Sequence, residues 1–175
     1  PKPLENESGN GLHINMSVKC ADGTDRTPAF MAGILAHIRD LTAFLNPSEA
    51  SYRRFGKCKA PKFVTWSHEN RSQLIRIPAA KGEYRRIELR SPDPSANPYL
   101  AYALLIWAGL DGIAKDMCPA PAVDLNLLTA PESETREFDT LPCSLEEAVA
   151  LAGGSALVRR VLGDDAAAFL TDARR

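Results

Sequence analysis

Arg86, Glu88 and Arg90 alternate with Ile87 and Leu89. In an extended chain successive side chains point to opposite faces, so this stretch presents two guanidiniums and one carboxylate on one side and two aliphatic groups on the other. A carboxylate between two guanidiniums has its pKa pushed down and stays ionised. It can neutralise the cluster, or hold a divalent cation beside bound phosphates. The surrounding segment, residues 53–90, carries 11 of the chain's 21 basic residues against three acids, Glu69, Glu83 and Glu88, for a local net charge of +8. Arginine outnumbers lysine there seven to four, and arginine is the residue suited to bidentate recognition of oxyanions. The pattern points to a phosphate or carboxylate site, with a merely solvated basic face as the alternative. His13 follows Gly9-Asn10-Gly11, where a glycine-rich backbone can approach a ligand closely. An isolated strand histidine is commonly structural, so a metal-binding role for His13 requires that it converge with Glu88.

These residues need elements to position them. Leu12 to Val18 alternates, with Leu12, Ile14, Met16 and Val18 on one face and His13, Asn15 and Ser17 on the other, which predicts a half-buried strand. Further short strands are predicted over Lys62–Ser67, Ser72–Ile77 and Arg85–Arg90. Thr27-Pro28 opens a helix through Leu45, with Thr27 as its cap, and Asn46-Pro47 stops it. His37 in this helix reads as solvent-facing or hydrogen-bonded rather than a ligand. Ser48–Pro61 is a long polar connection of the kind used as a lid or binding loop. Asn97-Pro98 opens a helix to about Lys115, apolar at Leu100, Leu104, Ile106, Trp107 and Leu110, hence a core helix. Met117–Glu134 is irregular. Ser144 and Glu147 form a capping box for a further helix, broken at Gly153-Gly154, with two short helices expected near Ser155–Leu162 and Asp164–Arg174. The class is α+β.

Length and charge exclude several functions. The chain has 175 residues, 45% hydrophobic and 25% charged, a globular balance. Its net charge of −1 gives no global attraction to nucleic acid or an anionic membrane. No apolar run reaches the roughly 20 residues of a membrane span. A nucleic-acid module would fit the local +8, but the aromatics of that segment form no recognised stacking motif. The four cysteines, 20, 58, 118 and 143, show no CxxC pair or zinc spacing. With no secretory signal in the sequence, reduced thiols in a cytoplasmic protein are the expectation.

Five ordered motifs carry a resemblance. They are Gly9-Asn10-Gly11-Leu12-His13-Ile14-Asn15; Asn46-Pro47 with Ser51-Tyr52-Arg53-Arg54; Asn70-Arg71-Ser72-Gln73-Leu74-Ile75-Arg76-Ile77-Pro78; Arg86-Ile87-Glu88-Leu89-Arg90 with Pro92-Asp93-Pro94; and Ala96-Asn97-Pro98-Tyr99-Leu100-Ala101 with Ala108-Gly109-Leu110-Asp111-Gly112-Ile113. From Pro1 to about Asn126 the chain resembles the C-terminal part of the glutamine synthetase catalytic domain. The resemblance implies an antiparallel sheet lining the active site, with helices packed outside. It also implies that residues 1–175 are part of a longer chain, whose N-terminal β-grasp domain and first half of the catalytic domain precede Pro1.

The implied chemistry is ATP-dependent ligation of ammonia to glutamate through γ-glutamyl phosphate, with Mg2+ or Mn2+. His13 and Glu88 would ligate the metal on the ATP phosphates. Arg71 and Arg76 would bind those phosphates and stabilise phosphoryl transfer. Arg86 and Ser17 would contact the nucleotide. Arg54 and Arg90 would grip the glutamate carboxylates, with the backbone at Gly9 against the amino acid. Family members form ring-shaped homo-oligomers, and a dodecamer is implied for the full-length protein. Two ligands are too few to hold a catalytic cation tightly, so residues 1–175 alone are expected to be inactive.

Three positions depart from the family pattern. Lys59 precedes Ala60-Pro61 where a glutamate is usual, Ser8 replaces an asparagine before Gly9, and Leu128 stands in the region of a regulatory tyrosine, so control by adenylylation there is not expected. Lys59 motivates a ligase with another amine acceptor; with Ser8 it also motivates a non-catalytic binding homologue.

Overall fold

The computed structural model describes residues 1–80 and 82–165. Four short strands, β1 (Ile14–Met16), β2 (Trp66–His68), β3 (Ile75–Ile77) and β4 (Ile87–Leu89), form one sheet in the order β1-β4-β3-β2. β1 and β3 both run antiparallel to β4, with Asn15 opposite Glu88 on one side and Arg76 opposite Glu88 on the other. The expected antiparallel arrangement thus holds for three strands. The β2–β3 pair is parallel. Parallel neighbours usually need a long crossover. Here each strand is three residues long, so the six residues 69–74 suffice to carry the chain back, helped by a left-handed turn at Glu69 (φ 60°).

The strands are shorter than the alternation predicts, because pairing needs a neighbour at each register and the flanking residues have none. Lys62–Ser67 is the largest shift. Phe63 makes an isolated bridge to Thr140, and the paired strand begins at Trp66.

The apolar side of the sheet, Ile14, Ile75, Ile87 and Leu89, joins one buried cluster with helix α1 (Thr27–Leu45). α1 buries Phe30, Met31, Ile34, Ile38, Leu41 and Leu45, the face predicted from their helical spacing. Its cap lies at Arg26, one residue earlier than expected, and the Thr27 N–H is accepted instead by the Asp25 carboxylate at 3.0 Å. His37 Nε2 donates to the Asp111 carboxylate at 2.9 Å, a structural contact as expected.

The polar connection after α1 is more ordered than its composition implies. It starts with a single-turn helix, α2 (Glu49–Tyr52), and buries Ser51, Tyr52 and Arg54.

Helix α3 (Pro98–Ala114) packs along α1 and buries Ala101, Leu104, Leu105 and Ala108. The core-helix expectation holds on one face only: Ile106, Trp107 and Leu110 are substantially exposed, and the Trp107 ring is covered in part by the Arg160 guanidinium at 4.8 Å. Small residues rather than large ones face α1, which brings the two backbones close. Asn97 caps α3, its Oδ1 accepting from Tyr99 N–H at 3.0 Å and Leu100 N–H at 3.4 Å. Replacing Asn97 by Ala removes both bonds and is expected to cost about 1 kcal/mol in urea unfolding; an unchanged midpoint would show the cap to be idle.

Within the stretch expected to be irregular lies a further single turn, α4 (Glu132–Thr135). Helices α5 (Leu145–Gly154) and α6 (Ala156–Leu162) lie where predicted. Ser144 Oγ accepts from Glu147 N–H at 3.1 Å, and the Glu147 carboxylate reaches back to Cys143 N–H at 2.8 Å. The helix expected over Asp164–Arg174 falls largely outside the described residues. All four cysteines are free thiols. Among the described residues no helix is long and apolar enough to cross a membrane.

Candidate active site

Strand alternation places His13 and Asn15 beside Arg86, Glu88 and Arg90, and β3 adds Arg76 to the same polar face of the sheet. The opposite, apolar side packs against α1. Glu88 is its centre. The carboxylate is nine-tenths buried and receives hydrogen bonds from Arg76 (Nη1 to Oε2, 2.8 Å) and from Arg90. His13 Nδ1 lies 3.2 Å from Glu88 Oε1. The convergence that a metal-binding role for His13 requires is therefore present.

Burial by itself raises the Glu88 pKa. The hydrogen bond from Arg90 and the charges of Arg90, Arg76 and His13 outweigh it, and the carboxyl ends below its ordinary range. His13 is also lowered, first by desolvation and then by the nearby Arg90 charge, against the opposing pull of Glu88. The imidazole is thus neutral near pH 7, the form that can ligate a metal.

These directions fix the sign of a pH effect. A group with a depressed folded pKa resists protonation that the unfolded chain accepts, so its stabilisation is lost as pH falls. For metal-free protein, the His13 contribution should decline as pH drops below 6.5 and that of Glu88 as it drops below 4.5. An NMR titration of the His13 ring should give a midpoint below 6.5; one at or above that value would contradict the electrostatics described.

Two hollows flank Glu88. The first, about 390 Å³, is bounded by Gly9, Gly11, His13, Arg54, Arg90 and the loop 57–60. Gly9 is required by packing, since a Cβ there would stand 2.6 Å from the Pro1 carbonyl and 2.8 Å from Arg54 Cγ. Arg54 is almost fully buried, and burial lowers its pKa against the opposing effect of Asp93. Its Nη1 is 3.6 Å from the Asp93 carboxylate and 3.3 Å from the Ser91 carbonyl. Asp93 is in turn held by the Asn46 amide at 2.9 Å.

The second hollow, about 580 Å³, contains Ser17 and Arg86 together with Thr24, Trp66 and His68. Arg86 Nε donates to Asn15 Oδ1 at 3.0 Å, which ties it to β1. Arg71 is exposed and makes no ion pair among the described residues, yet its charge is felt at Arg90.

The sequence-predicted residues therefore divide. His13, Glu88, Arg76 and Arg90 meet directly; Gly9 and Arg54 line the hollow beside them; Ser17 and Arg86 line the other; Arg71 stands apart at the rim. Sequence reasoning missed Asp93, Asn46 and Asn15. Asp93 was legible only as a chain breaker between two prolines, and nothing local ties it to Arg54, 39 positions earlier. Lys2 and Lys57 also border the first hollow; Lys57 enters the sequence reading only through the net charge of residues 53–90, and Lys2 lies outside that segment.

The donor set suits one edge of a divalent cation: an imidazole and a carboxylate. Among the described residues no group of three or more potential ligands converges. Two such donors alone would hold a divalent cation only weakly.

Comparison with known proteins gives the family and the fold. The family model described as "Glutamine synthetase, catalytic domain" matches residues 1–175. A glutamine synthetase of Methanosarcina mazei is 42% identical over 180 residues, covering 94% of this chain and 40% of that protein. One from Pyrococcus furiosus is 41% identical over 177 residues, with the same two coverages. Among solved structures, a GmaS/ADP complex superposes with a TM-score of 0.86 at 34% identity, covering 99% of this chain and 44% of that one. GmaS without ligand gives a TM-score of 0.84 at the same identity, with 99% and 42% covered. The chain thus spans about 40% of the length of the curated relatives it matches. With a whole-length family match, the order of its motifs and a polar sheet face centred on Glu88, the chain belongs to the glutamine synthetase catalytic-domain family.

Proposed function

We propose that the full-length protein, in the cytoplasm, joins ammonia to glutamate at the expense of ATP, through γ-glutamyl phosphate. The observation that carries this reading is the meeting of His13, Glu88, Arg76 and Arg90 on one polar sheet face between two hollows. Phosphoryl transfer asks the protein for positioning and charge stabilisation rather than covalent chemistry. This face has the groups for both.

In this assignment Arg71 and Arg76 hold the ATP phosphates and the transferring phosphoryl group. Arg86 and Ser17 hold the nucleotide in the second hollow. Arg54 and Arg90 bind the glutamate carboxylates in the first, with the backbone at Gly9 against the amino acid. His13 and Glu88 supply two ligands to a Mg2+ or Mn2+ ion, which when bound neutralises charge on the phosphates. Arg76 and Arg90 satisfy Glu88 when no ligand is present, so the carboxylate stays ionised and poised. A ring-shaped homo-oligomer, in the dodecameric form implied by the family, would complete the site; residues 1–175 alone are then inactive.

The test is ADP release and glutamine formation by purified full-length protein with glutamate, ATP, Mg2+ and ammonium. Replacing Arg76 by Ala should lower kcat by roughly 100-fold, as for loss of a charge-stabilising donor. Replacing Arg54 should act mainly on the KM for glutamate. Glutamate-independent ATP hydrolysis, or none at all, would overturn the assignment.

A second reading, transfer to an amine other than ammonia, is favoured by the position of Lys59 on the first hollow.

A further inference from the structure

The first hollow has an unusual charge balance. Among the described residues five cationic side chains line it, Lys2, Arg54, Lys57, Lys59 and Arg90, and no aspartate or glutamate does. Three are already answered. Arg54 faces Asp93, Arg90 is bonded to Glu88, and the Lys2 ammonium donates to the Glu7 carbonyl. Lys57 and Lys59 are different. Both are exposed, and among the described residues neither forms an ion pair or a side-chain hydrogen bond.

The loop that carries them is held in place. Arg90 Nη2 lies 3.4 Å from the Lys59 carbonyl, Gly56 N–H donates to the Ala60 carbonyl at 3.0 Å, and Ala60 N–H donates to the Lys57 carbonyl at 3.0 Å. Gly56 and Cys58 both take left-handed backbone, with φ of 73° and 57°. The turn is tight, and it carries two lysines at the rim.

A rim of this kind repels a cation and attracts an anion. Two carboxylates of glutamate are provided for by Arg54 and Arg90 in the assignment above. The loop lysines therefore have no role toward that substrate, and they oppose entry of ammonium or an alkylammonium ion. We propose that Lys57 and Lys59 form an acceptor subsite for an amine that carries a carboxylate, so that the preferred acceptor is an amino acid rather than ammonia. This rests on the acyl-phosphate half of the proposed function and replaces its acceptor.

In the transfer step the neutral acceptor nitrogen attacks the γ-carbonyl carbon of γ-glutamyl phosphate. The C–N bond forms, the C–O bond to phosphorus breaks, phosphate leaves with the electron pair, and the surplus amine proton passes to solvent. The product is a γ-glutamyl amide with an additional carboxylate, held against the loop ammoniums.

The experiment uses full-length protein with glutamate, ATP and Mg2+. Hydroxylamine, uncharged at neutral pH, first reports the acyl phosphate as γ-glutamyl hydroxamate. Ammonium, ethylamine, glycine and β-alanine then serve as acceptors, with products identified by mass spectrometry. Ethylamine and β-alanine differ by one carboxylate and form the matched pair. A charge-assisted contact to that carboxylate predicts β-alanine or glycine ahead of ethylamine and ammonium by about tenfold or more in kcat/KM. Lys59→Glu and Lys57→Glu should each shrink the β-alanine to ethylamine ratio by a similar factor.

Hydroxamate formation with ammonium or ethylamine preferred, or a ratio that neither substitution moves, overturns the acceptor subsite and leaves the ligase reading intact. Absence of hydroxamate overturns the ligase reading, and the acceptor subsite with it.

Discussion

Replacing Glu88 by Ala is expected to lower the unfolding free energy by about 3 kcal/mol or more, the cost of stripping one partner from a buried ion pair. The carboxylate is nine-tenths buried and answers Arg76 at 2.8 Å, Arg90, and His13 at 3.2 Å. Its removal leaves two guanidiniums close together, one of them, Arg90, almost fully buried. Arg90 Nε already lacks a hydrogen-bond partner, so the loss falls on a group with little in reserve.

The same variant should lose activity in the full-length protein, because the proposed metal loses one of its two ligands from this chain. The two effects are separable. Combining Glu88→Ala with Arg90→Met removes the stranded charge and should recover about half of the lost stability, while activity stays absent. Denaturant melts of both variants decide the matter. A loss below about 1 kcal/mol for the single variant would mean that water already screens this cluster as it does a surface pair.

The second large effect lies away from the site, where α1 crosses α3. Gly33 and Gly112 face each other there. A Cβ built on Gly33 would stand 2.7 Å from the Gly112 nitrogen and 2.8 Å from its Cα; one built on Gly112 would stand 2.6 Å from the Gly33 nitrogen. These neighbours are backbone atoms of helices and cannot rotate away. Gly33→Val must drive the helices apart along their contact and is expected to cost about 3 kcal/mol, the upper part of the overpacking range.

Even Gly33→Ala should destabilise, although alanine favours a helix by about 1 kcal/mol over glycine. Gly153, in α5, supplies the contrast. Its added Cβ meets nothing within 4 Å, so Gly153→Ala should leave stability unchanged or raise it by some tenths of a kcal/mol. If Gly33→Ala and Gly153→Ala shift the melting temperature equally, the close crossing is not what holds the helices. Because α1 also backs the sheet, the Gly33 variants should broaden the His13 and Arg90 NMR signals before the protein unfolds.

Much of the scaffold was legible from local pattern. Period-two alternation assigned His13, Asn15 and Ser17, and likewise Arg86, Glu88 and Arg90, to polar faces of their own strands. Helical spacing and the Asn97-Pro98 and Ser144–Glu147 signals located the long helices to within a residue or two. Alternation and capping are properties of adjacent residues, and adjacent residues carry their signal in order.

What joins one element to another was decided by the fold. His13 reaches Glu88 across 75 positions because β1 pairs with β4 in a register that sets Asn15 opposite Glu88; a slip of one residue would have turned the imidazole to the other side. The pairing of Arg54 with Asp93, the parallel step from β2 to β3 and the exposed side of α3 arise in the same way. Ile106, Trp107 and Leu110 read as core by hydropathy alone, but glycine and alanine on the neighbouring face let α1 approach there instead. Side-chain type determines which face of an element is polar; the register and spacing between distant elements, set by packing of the whole chain, determine which polar groups meet.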